Sequence, residues 1–308
     1  MKVNEIVTNK IIEKLKAGCP PWQSPYAIQR MGTLQNFKTK HRYTGINLFL
    51  LWESPTGSFL SYKQAQELGY QVRKGAKSYM CVFFTKFTPK GAETKVNKKG
   101  EIVNNSLPCL RYYNLFDIAD IEGLEAETEK LRGIVKDRET DTSLDLDYRK
   151  ASQICDGYLN RNKIKLRNID DRFAFYSITE DYINIPKLEF MKSKEDYYST
   201  LFHEITHSTG HPTRLDRPLV GRNHHSVDKY SKEELVAEIG SAFLCAESGI
   251  IDRTIDSSAA YCEHWIKALK ADHNLIISAA SRANKAYDFV LNNLVNIPKD
   301  SEDEQLAA

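Results

Sequence analysis

An α+β protein of two domains is the fold class this sequence predicts, and three observations predict it. In the first 120 residues, apolar runs of strand character, Tyr79 to Phe87 and Leu110 to Phe116, stand among short helical stretches. The charge is divided: residues 1–120 carry 18 Lys/Arg and 8 Asp/Glu, the remainder 25 and 33, within a formal net charge of +2. The second half is dominated by helical periodicity and holds the string His203-Glu204-Ile205-Thr206-His207. A charge split of this kind points to two domains with different partners, the basic one facing a polyanion. The expected division is a basic α+β domain at 1–125, an acidic linker at 126–146, a helix-rich domain at 147–298 and an acidic tail at 299–308. With 308 residues, each domain has chain enough for its own core.

Val3, Ile6, Val7, Ile11 and Leu15 recur at near-helical spacing, so a helix is expected over 2–17, ended by Gly18. Cys19-Pro20-Pro21-Trp22 then forces an extended turn. A second helix should begin near Ile46, and Ser61 to Gly69 reads as a short helix with a glycine stop. Arg73-Lys74-Gly75 makes a basic turn into the strand Tyr79 to Phe87. Residues 88–105, with Pro89-Lys90-Gly91 and Lys98-Lys99-Gly100, form a polar hairpin or loop before the returning strand. A helix follows from Asp147 to Asn162, then strands at Phe173 to Ile178 and Tyr182 to Ile185. Pro186 confines the second of these to a sheet edge, where it could pair with an extended peptide. Helices are expected at 194–209, 231–248, 257–271 and 274–294, with Ser231 and Glu234 as a capping box opening the second of them.

On the first of these helices His203 and His207 lie four residues apart and share a face, so both imidazoles can bind one ion. Zinc suits such a pair; Mn2+ is an alternative divalent ion. Glu204 then stands where a carboxylate can act as general base on an attacking water. A third ligand is expected from the downstream helix, where Glu234 and Glu238 project from one face. Glu234 is taken as the ligand and Glu238 as the group that hydrogen-bonds a ligand histidine, although spacing alone also permits the reverse. A metzincin would place a third histidine six residues after His207; that position is Thr213, so the pattern is that of a gluzincin. Tyr230, His211, His224 and His225 are candidates for stabilising an oxyanion.

No apolar run reaches bilayer-spanning length, and Met1 to Lys16 has no signal-peptide core, so no membrane partner is expected. Six scattered cysteines without a Cys-x-x-Cys pair fit reduced thiols in a cytoplasm. The basic half interleaves cations with aromatics: Lys38, Lys40, His41, Arg42 and Tyr43 in one cluster, Lys63, Arg73, Lys74 and Lys77 in another, and Trp22, Tyr26, Phe37, Tyr62, Tyr70 and Tyr79 among them. Basic grooves with stacking faces hold single-stranded nucleic acid, and no duplex-reading helix or zinc finger is evident. Trp22, Lys38, Arg42, Tyr43, Lys63, Arg73, Lys74 and Lys77 are the candidate DNA contacts, chosen on charge and aromatic interleaving.

Three strings in the first half, Gly18-Cys19-Pro20-Pro21-Trp22, Tyr43-Thr44-Gly45-Ile46-Asn47 and Val72-Arg73-Lys74-Gly75, resemble the N-terminal domain of ArdC-type antirestriction proteins. His203 to Pro212, Arg214-Leu215-Asp216-Arg217 and Glu233 to Glu238 are similar to the metallopeptidase-like domain of the same family. The resemblance covers nearly the whole chain apart from the acidic linker and the tail. It implies a single-stranded-DNA-binding domain joined to a zincin-like domain, carried on mobile elements and associated with protecting incoming DNA from restriction.

Overall fold

Helix α1 (Val3–Lys16) forms on its apolar stripe and buries Val7, Ile11, Ile12 and Leu15. The computed structural model describes residues 2–31, 33–87, 94–96, 102–104, 107–140, 148–169, 172–217, 227–250 and 259–292. After α1 come α2 (Pro25–Met31), β1 (Gln35–Asn36), α3 (Ile46–Leu51), β2 (Ser58–Ser61) and α4 (Tyr62–Glu67). A capping box starts α4: Ser61 Oγ accepts from the Gln64 N–H at 3.2 Å, and Gln64 Oε1 accepts from the Ser61 N–H at 3.1 Å. Then follow β3 (Gln71–Val72), β4 (Ser78–Phe87), β5 (Thr94–Val96), β6 (Ile102–Asn104), β7 (Leu107–Asp117) and β8 (Ile121–Glu122). The main sheet has the order β1-β2-β7-β4, and β4 runs antiparallel to β7 from Ser78↔Phe116 to Phe87↔Leu107. That leaves β4 at an edge. Asn47 covers part of it: its Oδ1 accepts from the Val82 N–H at 2.8 Å, and its Nδ2 donates to the Val82 carbonyl at 2.9 Å. The lysine-rich stretch contributes a short hairpin, β5 paired with β6.

The expected acidic linker begins as a helix, α5 (Glu125–Thr140), while 141–147 and the tail at 299–308 lie outside the described residues. Beyond it come α6 (Arg149–Asn162), β9 (Lys165–Arg167), β10 (Phe175–Ser177), β11 (Tyr182–Asn184), α7 (Lys194–Ser208), α8 (Val227–Ser248), α9 (Ala259–Ala271) and α10 (Leu275–Val290). Two expectations change here. Strand β11 is the middle strand of the sheet β10-β11-β9, antiparallel to β10 and parallel to β9. Pro186 falls beyond its end, so the missing N–H removes no ladder bond, and β10 and β9 are the edge strands. Ser231 lies inside α8, which starts a turn earlier at Val227, so it is not the cap.

The core does not divide at the expected linker. One buried cluster contains Val7, Ile11, Trp22 and Phe49 from the first half with Phe202, Phe243, Trp265 and Ile276 from the second. Helix α1 packs on α9, α2 on α8 and α3 on α10. Trp22 meets Phe49 at 5.9 Å and Trp265 at 6.3 Å, and Phe49 meets Phe243 at 5.9 Å. The independent cores expected from chain length give way because α1, α2 and α3 each carry an apolar face the small sheet cannot cover alone. Among the described residues no helix is long and apolar enough to cross a membrane, and all six cysteines are free.

Candidate metal centre and nucleic-acid surface

Ser193 caps α7, its Oγ accepting from the Asp196 N–H at 3.1 Å, and Glu195 and Asp196 in the first turn complement the helix dipole. The helix buries Leu201, Phe202 and Ile205, which turns His203 and His207 toward α8. There the three expected donors converge. His203 Nε2 and His207 Nε2 are 3.1 Å apart, His203 Nε2 is 3.4 Å from Glu234 Oε2, and His207 Nε2 is 3.4 Å from Glu234 Oε1. A tetrahedral shell with bonds of ~2.0–2.1 Å holds its ligand atoms roughly 3.3 Å apart. The two ring nitrogens are spaced as two corners of such a shell, each stands 3.4 Å from a different oxygen of Glu234, and one donor atom from each residue lies within 4.8 Å of the others; two imidazoles with a carboxylate are the donor chemistry of a gluzincin ion.

Close contact of α7 with α8 makes this possible. Gly240 stands against Thr206, and a Cβ built on Gly240 would lie 2.5 Å from Thr206 Cγ2. Replacing it with alanine would force the Thr206 side chain or the two helices to move. Gly240→Ala should destabilise the fold by about 1–3 kcal/mol. It should also weaken metal uptake, read by a chelator competition titration. Unchanged affinity would separate the helix spacing from the site.

The carboxylate facing a ligand histidine's second nitrogen is Glu233, whose Oε1 is 3.6 Å from His207 Nδ1. Glu238, expected in that role, instead accepts from the Trp22 indole N–H at 2.9 Å and from the Tyr261 hydroxyl. Glu238 sits one turn beyond Glu234 and points to the packed first half, whereas Glu233 turns toward α7. Arg217 locks Glu233 in place: its Nη2 donates to Glu233 Oε1 at 2.7 Å and to the Thr206 carbonyl at 2.7 Å, and its Nη1 donates to Thr209 Oγ1 at 2.6 Å. Arg214 ties the small sheet to the same helix end, donating to the Ser208 carbonyl at 2.6 Å, Asp181 Oδ2 at 3.0 Å and the Tyr176 hydroxyl at 2.8 Å. Both arginines place a cation at the carboxyl end of α7, the favourable end of its dipole. Sequence reasoning missed Glu233 and both arginines as site-shaping groups. The available signal was the adjacent acid pair Glu233-Glu234, whose side chains must diverge by about 100° on a helix.

Glu204 is 6% exposed and accepts from the Tyr176 backbone N–H on edge strand β10. Burial raises its pKa against the lowering effect of His203 and His207. Burial also acts to raise the Glu234 carboxyl, but hydrogen bonds from the two histidines hold it well below the usual carboxylate range. Of the oxyanion candidates, His211 is engaged locally, its Nδ1 2.8 Å from Thr213 Oγ1. His224, His225 and the side chain of Tyr230 lie outside the described residues.

The candidate DNA contacts divide into three groups. Trp22 and Tyr43, at 1% and 7% exposure, are core residues with covered ring faces, so no base can stack on them. Tyr43 packs edge-on against Phe59 at 5.8 Å. Lys38, Lys63, Arg73, Lys74 and Lys77 are exposed. Lys38 pairs with Glu67 and Arg73 with Glu125, each at 2.6 Å, while Lys77 lies over the Tyr79 ring at 5.0 Å. Tyr62, 46% exposed, lines a shallow basin with Arg73 and Lys74 and offers the free aromatic face that Trp22 and Tyr43 do not. Arg42 lies elsewhere, lining a cleft with Glu247 and Tyr287 of the second half. The side chain of Tyr26 lies outside the described residues.

Residues 1–116 match the N-terminal domain of anti-restriction factor ArdC, and residues 154–282 match a zincin-like metallopeptidase. The solved structure of the metal-free antirestriction ArdC protein from plasmid R388 is 33% identical, superposes with a TM-score of 0.71, and is covered over 100% of its length by 97% of this chain. The chain belongs to the ArdC antirestriction family. An Mn(II)-bound structure of the R388 ArdC protein matches with the same TM-score of 0.71. An Escherichia coli DNA primase, TraC, is 33% identical over 302 residues, 94% of this chain, yet the match spans 27% of the primase. A Sinorhizobium fredii protein is 26% identical over 94% of this chain and 91% of its own length. The α+β architecture and the zincin-like second half are those of the ArdC family, and the two matched segments meet here across one shared core.

Proposed function

We propose that this ArdC-family chain holds single-stranded DNA on its basic half and hydrolyses a peptide bond of a protein met at that DNA. The ion is zinc or another divalent metal, held by His203, His207 and Glu234, and the Mn(II)-bound relative supports that reading. The carrying observation is the triangle of three donor atoms beside a buried carboxylate, Glu204, that is not part of it. A structural ion would need the triangle alone. When bound, the ion supplies Lewis acidity, lowering the pKa of water and polarising the scissile carbonyl. Glu204 takes the proton of the attacking water and passes it to the leaving amine, a role suited to a carboxyl whose pKa burial has raised. Glu233 and Arg217 fix the His207 ring through its second nitrogen. Edge strand β10 reaches the site through Tyr176 and gives an extended substrate a strand to pair with. On the basic half, Lys63, Lys74 and Tyr62 supply phosphate contacts and a stacking face. Free cysteines fit the reducing cytoplasm expected for such a protein.

The test compares wild type with Glu204→Gln on denatured casein, with and without an oligothymidine. Cleavage by wild type should fall about 10²- to 10⁴-fold in the variant, the usual contribution of a general base. Oligothymidine affinity should stay constant. An inactive wild type under both conditions, with DNA affinity intact, would remove the peptidase and leave a DNA shield.

A further inference from the structure

A pocket of about 360 Å³ opens between the two halves, where the free edge of β4 faces α10. That volume is in the range of sites that enclose small ligands. Its walls differ in chemistry. Phe83 and Tyr113 pack together at 5.5 Å on one face of the sheet, Phe84 projects from the opposite face at the β4 edge, and Asn284, Lys285 and Asp288 of α10 form a polar wall. Asn284 Nδ2 donates to Asp288 Oδ2 at 2.8 Å, which fixes the amide and leaves donors and acceptors on one helix face. Phe84 is 53% exposed, so a large aromatic face stands at the rim with nothing stacked on it among the described residues.

A planar ligand with apolar faces and a hydrogen-bonding edge matches those walls, and a nucleobase is such a ligand. A peptide fits less well, because Asn47 already occupies both outward hydrogen bonds of Val82, the groups through which an added strand would pair. Lys285 supplies a cation at the rim for a flanking phosphate. We propose that the pocket takes one unpaired base of single-stranded DNA, stacked on Phe84 with its edge toward Asn284 and Asp288. The proposal rests on the DNA-binding half of the function given above and extends it, since the metallopeptidase-like half then contributes directly to DNA binding. Helix α10 also packs on α8, the helix that carries Glu234.

The full chain is titrated with a fluorescent oligothymidine at a series of salt concentrations, as wild type, Phe84→Ala, Phe84→Trp and Asn284→Ala. Phe84→Ala should weaken binding roughly 5- to 100-fold, the loss of one base stack, and Phe84→Trp should retain affinity. The slope of log affinity against log salt should not change, because no phosphate contact is removed. Asn284→Ala should weaken binding by a smaller factor at the same slope. A single 2-aminopurine in the strand should change fluorescence on wild type and not on Phe84→Ala. Wild-type affinity in both alanine variants, or a change confined to the slope, overturns the pocket while DNA binding stands. A wild type that binds no oligothymidine at low salt overturns the DNA reading itself, and the pocket with it.

Discussion

A His203→Ala, His207→Ala double variant is expected to purify without divalent metal and to gain no thermal stability when zinc or manganese is added. Two of the three donor atoms in the triangle are removed, and the Glu234 carboxylate alone has no claim on an ion over water. In wild type, ion at about 100 times its Kd should stabilise the fold by ~2.7 kcal/mol, and this increment should vanish in the variant. Metal content by elemental analysis gives the stoichiometry, expected to fall from one ion per chain to none. The pH dependence carries the same logic. Burial favours a neutral His207 ring, yet the Glu233 and Glu234 carboxylates outweigh it and push its pKa up to about 10 in the ion-free protein. An ion requires the neutral ring, so uptake releases that proton. Affinity should therefore rise as pH climbs toward about 10 and fall in acid. Full occupancy in the double variant would place the ion elsewhere.

How much was legible in the sequence differs between the two halves of the problem. Helices carrying an apolar stripe were readable to within a few residues: 2–17 became Val3–Lys16, and 274–294 became Leu275–Val290. The convergence of His203, His207 and Glu234 was legible because its first two members are local, fixed by helix geometry, and the third lies on the next helix, where Glu234 and Glu238 share a face. What failed was decided by packing between distant segments. Trp22 looks identical in sequence whether it stacks on a base or fills a core. Its burial depends on Trp265, 243 positions away, and on an α9 face that no local pattern reveals. The choice between Glu233 and Glu238 as the histidine's partner turned on which side of α8 faces α7. That is set by Gly240 meeting Thr206, and a lone glycine in a helix does not announce such a contact. The strand before Pro186 was misplaced to an edge for a related reason: the proline lies past the last paired residue, and strand ends are not marked by alternation.

Trp22→Ala is expected to be the most destabilising single change in the basic half and to be felt at the metal centre. The indole is fully packed between Phe49 and Trp265, and a buried tryptophan truncated to alanine costs about 3–5 kcal/mol. Because the core is continuous, both halves should lose that stability in one cooperative transition rather than two. The N–H adds a second effect, since it donates to Glu238 at 2.9 Å and to the Tyr261 hydroxyl at 2.8 Å. Glu238 is half-buried, and desolvation raises its pKa while the Tyr261 and Trp22 hydrogen bonds favour its charged form. Without the indole, α8 loses the tie that holds it one turn beyond Glu234, and metal affinity should drop roughly 10- to 100-fold, as when a supporting group of a ligand is lost. Trp22→Phe separates the two contributions. It keeps most of the packing and removes only the donor, so it should recover most of the stability but little of the metal affinity. Denaturant melts with circular dichroism and a chelator competition read the two quantities independently. Two separate unfolding transitions would show that the halves do not share one core, and a Trp22→Phe variant with wild-type metal affinity would show that the basic half leans on the metal centre without positioning it.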